Sequence, residues 1–119
     1  MIVCVAVTEG GLVDPRWGRA ERVALAEVTS GGIESWQEID VGWGSLRESG
    51  SEGSHHARVA RFLREHQVEA VAADHMGADM EHMLGKLGIE VQLGASGDAR
   101  AAALAMLDGG RGPGAGPGS

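Results

Sequence analysis

The stretch "VAADHMGADMEHML" (71–84) combines side chains that bind soft metal ions with the signals of a tight turn. An apolar, strand-like run ends at Asp74 and His75, and Gly77 precedes a helix-like stretch that contains a second histidine and two more methionines. Imidazole nitrogen and thioether sulfur are ligands for copper and other transition metals. The stretch is therefore either a metal site or a strand–turn–helix joint in which these residues are structural.

The spacing favours a structural role for the methionines and separates the two histidines. Met76, Met80 and Met83 recur at helical spacing, which is typical of core packing. If His75 and His82 lay on one helix face, their Cα atoms would be about 10 Å apart, too far to share one ion easily. His82 is therefore predicted to be solvated. His75 either caps the following helix or has a chemical role.

Other reactive residues have simpler interpretations. Cys4 lies inside the apolar run "IVCVAV" (2–7), which predicts a buried, inert thiol and excludes an internal disulfide and a cysteine-based zinc site. Asp14 and Pro15 predict a turn. Trp17 either covers a crevice or fills the hydrophobic edge, and the sequence leaves both open.

The composition disfavours two classes of partner. There are 17 acidic residues against 10 basic ones, without a basic stripe, so binding to a nucleic-acid backbone is not expected. No apolar run reaches about 18 residues, and no charged segment precedes a long apolar one. We expect neither a membrane span nor a signal peptide, and a cytoplasmic protein.

Hydrophobic periodicity predicts alternating strands and helices. Residues 40–53, rich in Gly and Ser, are predicted to be a flexible connection. Ser96 is predicted to cap the last helix. The predicted strands are 2–7, 22–28, 33–39, 69–73 and 89–93, and the predicted helices are 54–66, 77–87 and 96–107.

This order predicts an α/β fold with a mixed five-stranded sheet and three helices. The first three strands form an antiparallel meander because the hairpin turn "TSGG" is short, and the later strands are parallel through right-handed crossovers. This is the ribonuclease H-like arrangement. Residues 1–108 are predicted to form a single domain. Residues 109–119, "GGRGPGAGPGS", are predicted to be a disordered tail.

Three segments of the sequence match a known family pattern. They are "VAVTEGGLVDPRWGRA" (5–20), "ADHMGADM" (73–80) and "LGKLGIEVQLGASGDARAAALAMLDGG" (84–110). They resemble the dinitrogenase iron-molybdenum cofactor biosynthesis family, which includes nitrogenase cofactor carriers and orange protein-like members that hold a molybdenum-copper sulfide cluster. The sequence departs from the family pattern where Trp17 replaces the usual Phe, Asp74 a common Gly and Ala78 a common Pro.

The resemblance implies a non-enzymatic carrier of an anionic metal-sulfide cluster. The cluster would be an iron-molybdenum cofactor precursor or a molybdenum-copper sulfide, and the partners would include cofactor donor and acceptor proteins. Two alternatives remain open. One is a regulatory or protein-interaction module that has lost the cluster. The other is a metal-dependent nuclease, which is disfavoured because the first strand offers no carboxylate for magnesium.

The cluster is expected beyond the carboxyl ends of the parallel strands, where open α/β sheets bind ligands. Arg16 and Arg19, with the free N–H groups of two helix starts, would favour an anion there. Gly18 and Gly77 would let the backbone approach closely. His75 is the predicted metal ligand.

A second histidine is expected at the start of the first helix. His55 is preferred to His56 because it shares a helical stripe with Val59 and Phe62, which directs it toward the sheet.

Overall fold

A computed structural model describes residues 1–47 and 52–108, and a five-stranded mixed sheet lies at its centre. The strand order is β3-β2-β1-β4-β5, with antiparallel pairing of β1 with β2 and of β2 with β3, and parallel pairing of β1 with β4 and of β4 with β5. The predicted meander and parallel units are therefore confirmed. The strands are β1 (Ile2–Ala6), β2 (Arg22–Thr29), β3 (Gly32–Asp40), β4 (Ala70–Ala72) and β5 (Glu90–Gln92).

The described residues form four α-helices rather than the predicted three. Two 3₁₀ helices, Trp17–Arg19 and Met106–Asp108, accompany them. None of these helices is long and apolar enough to cross a membrane. The predicted tail at 109–119 lies outside the described residues. The α-helices are α1 (Trp43–Arg47), α2 (Glu52–Glu65), α3 (Ala78–Lys86) and α4 (Ala99–Ala105).

Helix α1 lies in the segment predicted to be a flexible connection, so that prediction is wrong for residues 43–47. The cause is burial of an indole: Trp43 is 2% exposed and contacts the Trp17 ring edge-on, with 5.2 Å between centroids. Gly44 permits this packing, because a Cβ there would lie 2.7 Å from the Arg19 carbonyl oxygen. A composition rich in Gly and Ser does not reveal such a tertiary contact.

Helix α4 begins at a different cap from the one predicted. Asp98 is the N-cap, and its carboxylate accepts a hydrogen bond from the Ala101 amide at 2.9 Å. The prediction of Ser96 is wrong because Gly97 follows it with a φ of +78°, a left-handed turn that ends before the helix starts.

Each face of the sheet has its own hydrophobic core. Helices α2 and α3 cover one face, where Cys4, Leu63 and Leu84 are fully buried. Helix α4 covers the other face, with Val3 and Ala103 buried beneath it. Because β1 and β4 are parallel neighbours, their carboxyl ends open at the same edge of the sheet. The segments that follow these two strands are therefore brought together.

Candidate functional site

A cavity of about 450 Å³ opens at this edge of the sheet. Residues 15–19, which follow β1 in the chain, form one wall, and residues 75–80, which follow β4, form the other. His56 of α2 completes the lining. Two loop segments that are remote in sequence therefore enclose most of one site.

The two walls are joined by backbone pairing. Arg16 and His75 form an isolated parallel β-bridge. The arginine segment is held by Asp14, which is 6% exposed and accepts the Arg16 amide hydrogen at 2.9 Å through Oδ1. The same oxygen lies 3.5 Å from Arg16 Nε. The predicted turn at Asp14 is confirmed, and it orients Arg16 toward the rim of the cavity.

His75 presents its ring to solvent. The side chain is 81% exposed, and Nε2 lies 3.8 Å from Asp74 Oδ1. The N-cap of α3 is Gly77, and within residues 1–47 and 52–108 the His75 ring donates or accepts no hydrogen bond at the first amides of that helix. His75 therefore does not cap α3, and its imidazole stands at the cavity with its ring accessible.

The electrostatics of the cavity favour an anion. Arg16 and Arg19 supply two guanidinium groups, against the one carboxylate of Asp79 among the lining side chains. The start of α3 also forms part of the wall, and its first amide groups lack acceptors within the helix. These amides and the helix dipole add positive potential. In a protein with a net charge of −7, the side chains that line this cavity thus carry more positive than negative charge, although the Asp14 and Asp74 carboxylates lie close to Arg16 and His75.

Five of the six residues predicted for the site line this cavity together: Arg16, Gly18, Arg19, His75 and Gly77. His55 does not line it. The ring of His55 is buried at 0% exposure, and its Nδ1 lies 3.3 Å from an Arg58 guanidinium nitrogen.

The structure therefore corrects the preference for His55 over His56. A residue on the same helical stripe as Val59 points into the core, and Val59 is itself fully buried. His56, the next residue, is rotated by about 100° around the helix axis and lines the cavity. The stripe that suggested His55 was the signal that should have favoured His56.

Two further lining residues also belong to the hydrophobic core, and for one of them, Trp17, the sequence left open whether it covers a crevice or fills the hydrophobic edge. Met80 is 4% exposed, so its predicted core role is confirmed, yet it also borders the cavity with Met76. Trp17 is 1% exposed and belongs to both the core and the cavity wall. Its Nε1 is buried and has no hydrogen-bond partner among residues 1–47 and 52–108.

The donor set differs from that of a site for a bare metal ion. Within the part of the chain that the structure describes, no three His, Cys, Asp or Glu side chains are grouped to hold a metal. Cys4 is fully buried, and burial raises the pKa of its thiol, which opposes a thiolate ligand. A preassembled anionic guest fits the imidazoles of His56 and His75, two guanidinium groups and free amides better than a bare cation does.

Comparisons with known proteins agree with this architecture. The sequence model of the family described as dinitrogenase iron-molybdenum cofactor matches residues 1–109. No curated protein matches the chain significantly in sequence.

Two solved structures illustrate the shared fold. The apo form of the orange protein from Desulfovibrio gigas is 22% identical, with a TM-score of 0.72, covering 92% of this chain and 88% of that one. A NifB-like protein from Thermotoga is 19% identical, with a TM-score of 0.65 and coverage of 91% and 88%. At these identities the likeness is one of fold.

Proposed function

The chain belongs to the dinitrogenase iron-molybdenum cofactor family, and on that premise we propose that it is a non-catalytic carrier of an anionic metal-sulfide cluster. The cluster is an iron-molybdenum cofactor precursor or a molybdenum-copper sulfide. It sits in the cavity between residues 15–19 and 75–80. The carrier receives it from a donor protein and passes it to an acceptor in the cytoplasm.

The observation that carries this proposal is the bridge between Arg16 and His75. It brings a fixed positive charge and an accessible imidazole to the same rim of one cavity. A cluster with negative sulfide ligands and a metal that accepts nitrogen needs both groups at once. Arg19 and the start of α3 extend the same positive surface.

The size and openness of the site also support a carrier. A cavity of about 450 Å³ falls within the range of small-ligand pockets. The imidazole of His75 is accessible from outside, so a cluster held there can be exchanged with another protein. With His75 as the predicted metal ligand and no cysteine among the lining residues, release is favoured over permanent retention.

Loading with tetrathiomolybdate and copper(I) tests the proposal. We expect a charge-transfer absorption in the visible range that titrates to one site per chain. The variant His75→Ala should lose at least about tenfold in affinity, because the nitrogen ligand is gone. His82→Ala is the matched control, since His82 lies exposed in α3 and does not line the cavity.

If neither this mixture nor an iron-sulfur cofactor precursor binds, the carrier proposal is wrong. If binding occurs but His75→Ala and His82→Ala behave alike, a carrier role would survive only at a different site. If the chain is instead a protein-interaction module, its metal content after expression in cells supplied with molybdate and copper should be low. It should also be the same in wild type and in His75→Ala.

The arginines provide an independent test of the charge argument. Arg16→Gln and Arg19→Gln should each weaken binding by about tenfold, the order expected for losing one hydrogen bond to a charged group. Arg64→Gln removes the same charge from an exposed position of α2 outside the cavity, so it should leave the affinity unchanged. Added salt should weaken binding to wild type more than to the Arg16 and Arg19 variants.

The nuclease alternative has less support. Two-metal hydrolysis needs several carboxylates around adjacent ions. The described residues contain no such group, and Asp74 alone does not supply it. Magnesium-dependent RNA cleavage that disappears in Asp74→Asn would contradict a non-catalytic role.

A further inference from the structure

One polar side-chain group of a cavity-lining residue has no hydrogen-bond partner among the described residues. The indole Nε1 of Trp17 is inaccessible to solvent and donates no hydrogen bond to any of the described residues. The large majority of buried side-chain polar groups in proteins are hydrogen-bonded, because an unmade hydrogen bond costs stability. Phe would supply an aromatic ring without a polar atom to satisfy. The free-energy cost of burying the Trp17 N–H unpaired is therefore explained if this group has a role in binding.

Packing places this donor at the site. Trp17 is one of the lining residues of the cavity, and it lies next to Arg16 in the chain. On its other side it meets Trp43 edge-on at 5.2 Å, and Trp43 meets Phe62 in the same way at 5.7 Å. Edge-on aromatic contacts of this kind limit the indole ring of this lining residue to small displacements.

We propose that Trp17 is a specificity-determining residue, whose indole N–H donates a hydrogen bond to a negatively charged sulfido or oxo atom of the bound cluster. The inference rests on the proposed carrier function and adds a residue to it. Because Nε1 is closed to solvent in the free protein, the contact requires a small shift of the ring toward the guest. The donor then gains a negatively charged acceptor, to which its hydrogen bond is stronger than to a neutral water oxygen, so an anionic guest is favoured over water in the cavity.

The substitution Trp17→Phe tests this role, because it removes the N–H while it keeps an aromatic ring in the stack. We expect the dissociation constant for the tetrathiomolybdate–copper cluster to rise about tenfold to hundredfold, the range for a hydrogen bond to a charged group. Trp36→Phe is the control: it also removes an indole N–H, but Trp36 lies on β3, donates to Glu38 and does not line the cavity. It should leave the dissociation constant within about twofold.

The NMR resonances of the indole N–H groups report on this hydrogen bond directly, whereas a change in affinity could also result from altered packing. The chain has three tryptophans, so ¹⁵N-labelled protein shows three indole N–H signals, assignable with Trp36→Phe and Trp43→Phe. Loading should move the Trp17 proton downfield and slow its exchange with solvent deuterium. The Trp36 signal should stay in place, because Trp36 lies on β3 and donates to Glu38 at 3.0 Å.

The outcomes separate the two proposals. If wild type binds no cluster, the carrier function fails and this inference fails with it. If wild type binds, but Trp17→Phe binds equally well or the Trp17 signal does not move, the donor role alone is overturned. Should Trp17→Phe fail to fold, the resonance of the wild-type protein still decides between these results.

Discussion

Arg16 and His75 are paired by a parallel β-bridge, although the arginine follows β1 and the histidine follows β4. Strands β1 and β4 are themselves parallel neighbours, with Val5 opposite Ala72. The bridge therefore holds together the two segments that leave adjacent strands. Strand topology places the Arg16 charge and the His75 imidazole on one rim of the cavity. The two side chains need not contact each other for this.

The Asp14 carboxylate is expected to orient Arg16. Asp14→Ala removes the acceptor of the Arg16 amide, which should lower the free energy of unfolding by about 1–2 kcal/mol. It should also weaken cluster binding, since the arginine is no longer directed to the rim. Urea denaturation and the charge-transfer titration measure the two effects.

Asp14→Asn serves as the control for that change. The amide oxygen can still accept the backbone hydrogen, so stability should largely return. If Asp14→Asn were as unstable as Asp14→Ala, the loss would come from the charge of the carboxylate rather than from the turn.

Gly44 is expected to be intolerant of a side chain. A Cβ there would lie 2.6 Å from Glu21 Oε2 and 2.7 Å from the Arg19 carbonyl oxygen, and that backbone atom cannot move freely. Gly44→Ala should lower the free energy of unfolding by about 1–3 kcal/mol, as overpacking does. Because Arg19 lines the cavity, the displacement should also reduce cluster affinity.

Gly85→Ala is the control for Gly44→Ala, and it is expected to have the opposite effect on stability. Gly85 lies in α3, and an added Cβ would meet nothing within 4 Å. Gly85→Ala should raise the free energy of unfolding by about 0.5–1 kcal/mol through helix propensity alone. Thermal unfolding followed by circular dichroism should show midpoint shifts of opposite sign for the two variants.

The cap of α4 can be identified by two single substitutions. Asp98→Ala removes the acceptor of the Ala101 amide and should cost about 0.5–2 kcal/mol of stability. Ser96→Ala alters an exposed residue before the helix and should change stability by less than about 0.5 kcal/mol. Equal losses in the two variants would contradict Asp98 as the cap.

Cys4 should make stability depend on alkaline pH. Burial raises the pKa of its thiol above the ordinary value of 9.0, so the folded thiol stays protonated where the unfolded one ionises. Above about pH 9 the unfolded state then binds fewer protons, and stability falls by up to about 1.4 kcal/mol per pH unit. Below that pH the contribution is constant.

Comparison with Cys4→Ala isolates this effect, because the variant has no thiol to titrate. The difference in unfolding free energy between the two proteins should be flat from pH 7 to 8.5 and should shrink above pH 9. A difference that remains constant to pH 10.5 would mean that the thiol ionises while folded.

The strand arrangement of the sheet was predictable from the sequence, because local hydrophobic patterns and the order of strands and helices are sufficient to determine it. A short hairpin requires antiparallel pairing, and the strand–helix–strand order requires parallel crossovers. The ribonuclease H-like name for the arrangement stays a prediction. Helix α1 was not predictable, since residues 43–47 have a poor helical composition and depend on the contact between Trp43 and Trp17.

The sequence by itself determined the family and the two segments, 15–19 and 75–80, that meet beyond the strand ends. Topology brings these segments together whatever the details of packing. Only the tertiary structure decided that His56 rather than His55 borders the cavity, and that the Trp17 donor lies there without an acceptor. The hydrophobic stripe indicates which side of α2 faces the core, but the position of the cavity beside that helix and the partner of a buried N–H are set by contacts between distant elements, which no local pattern encodes.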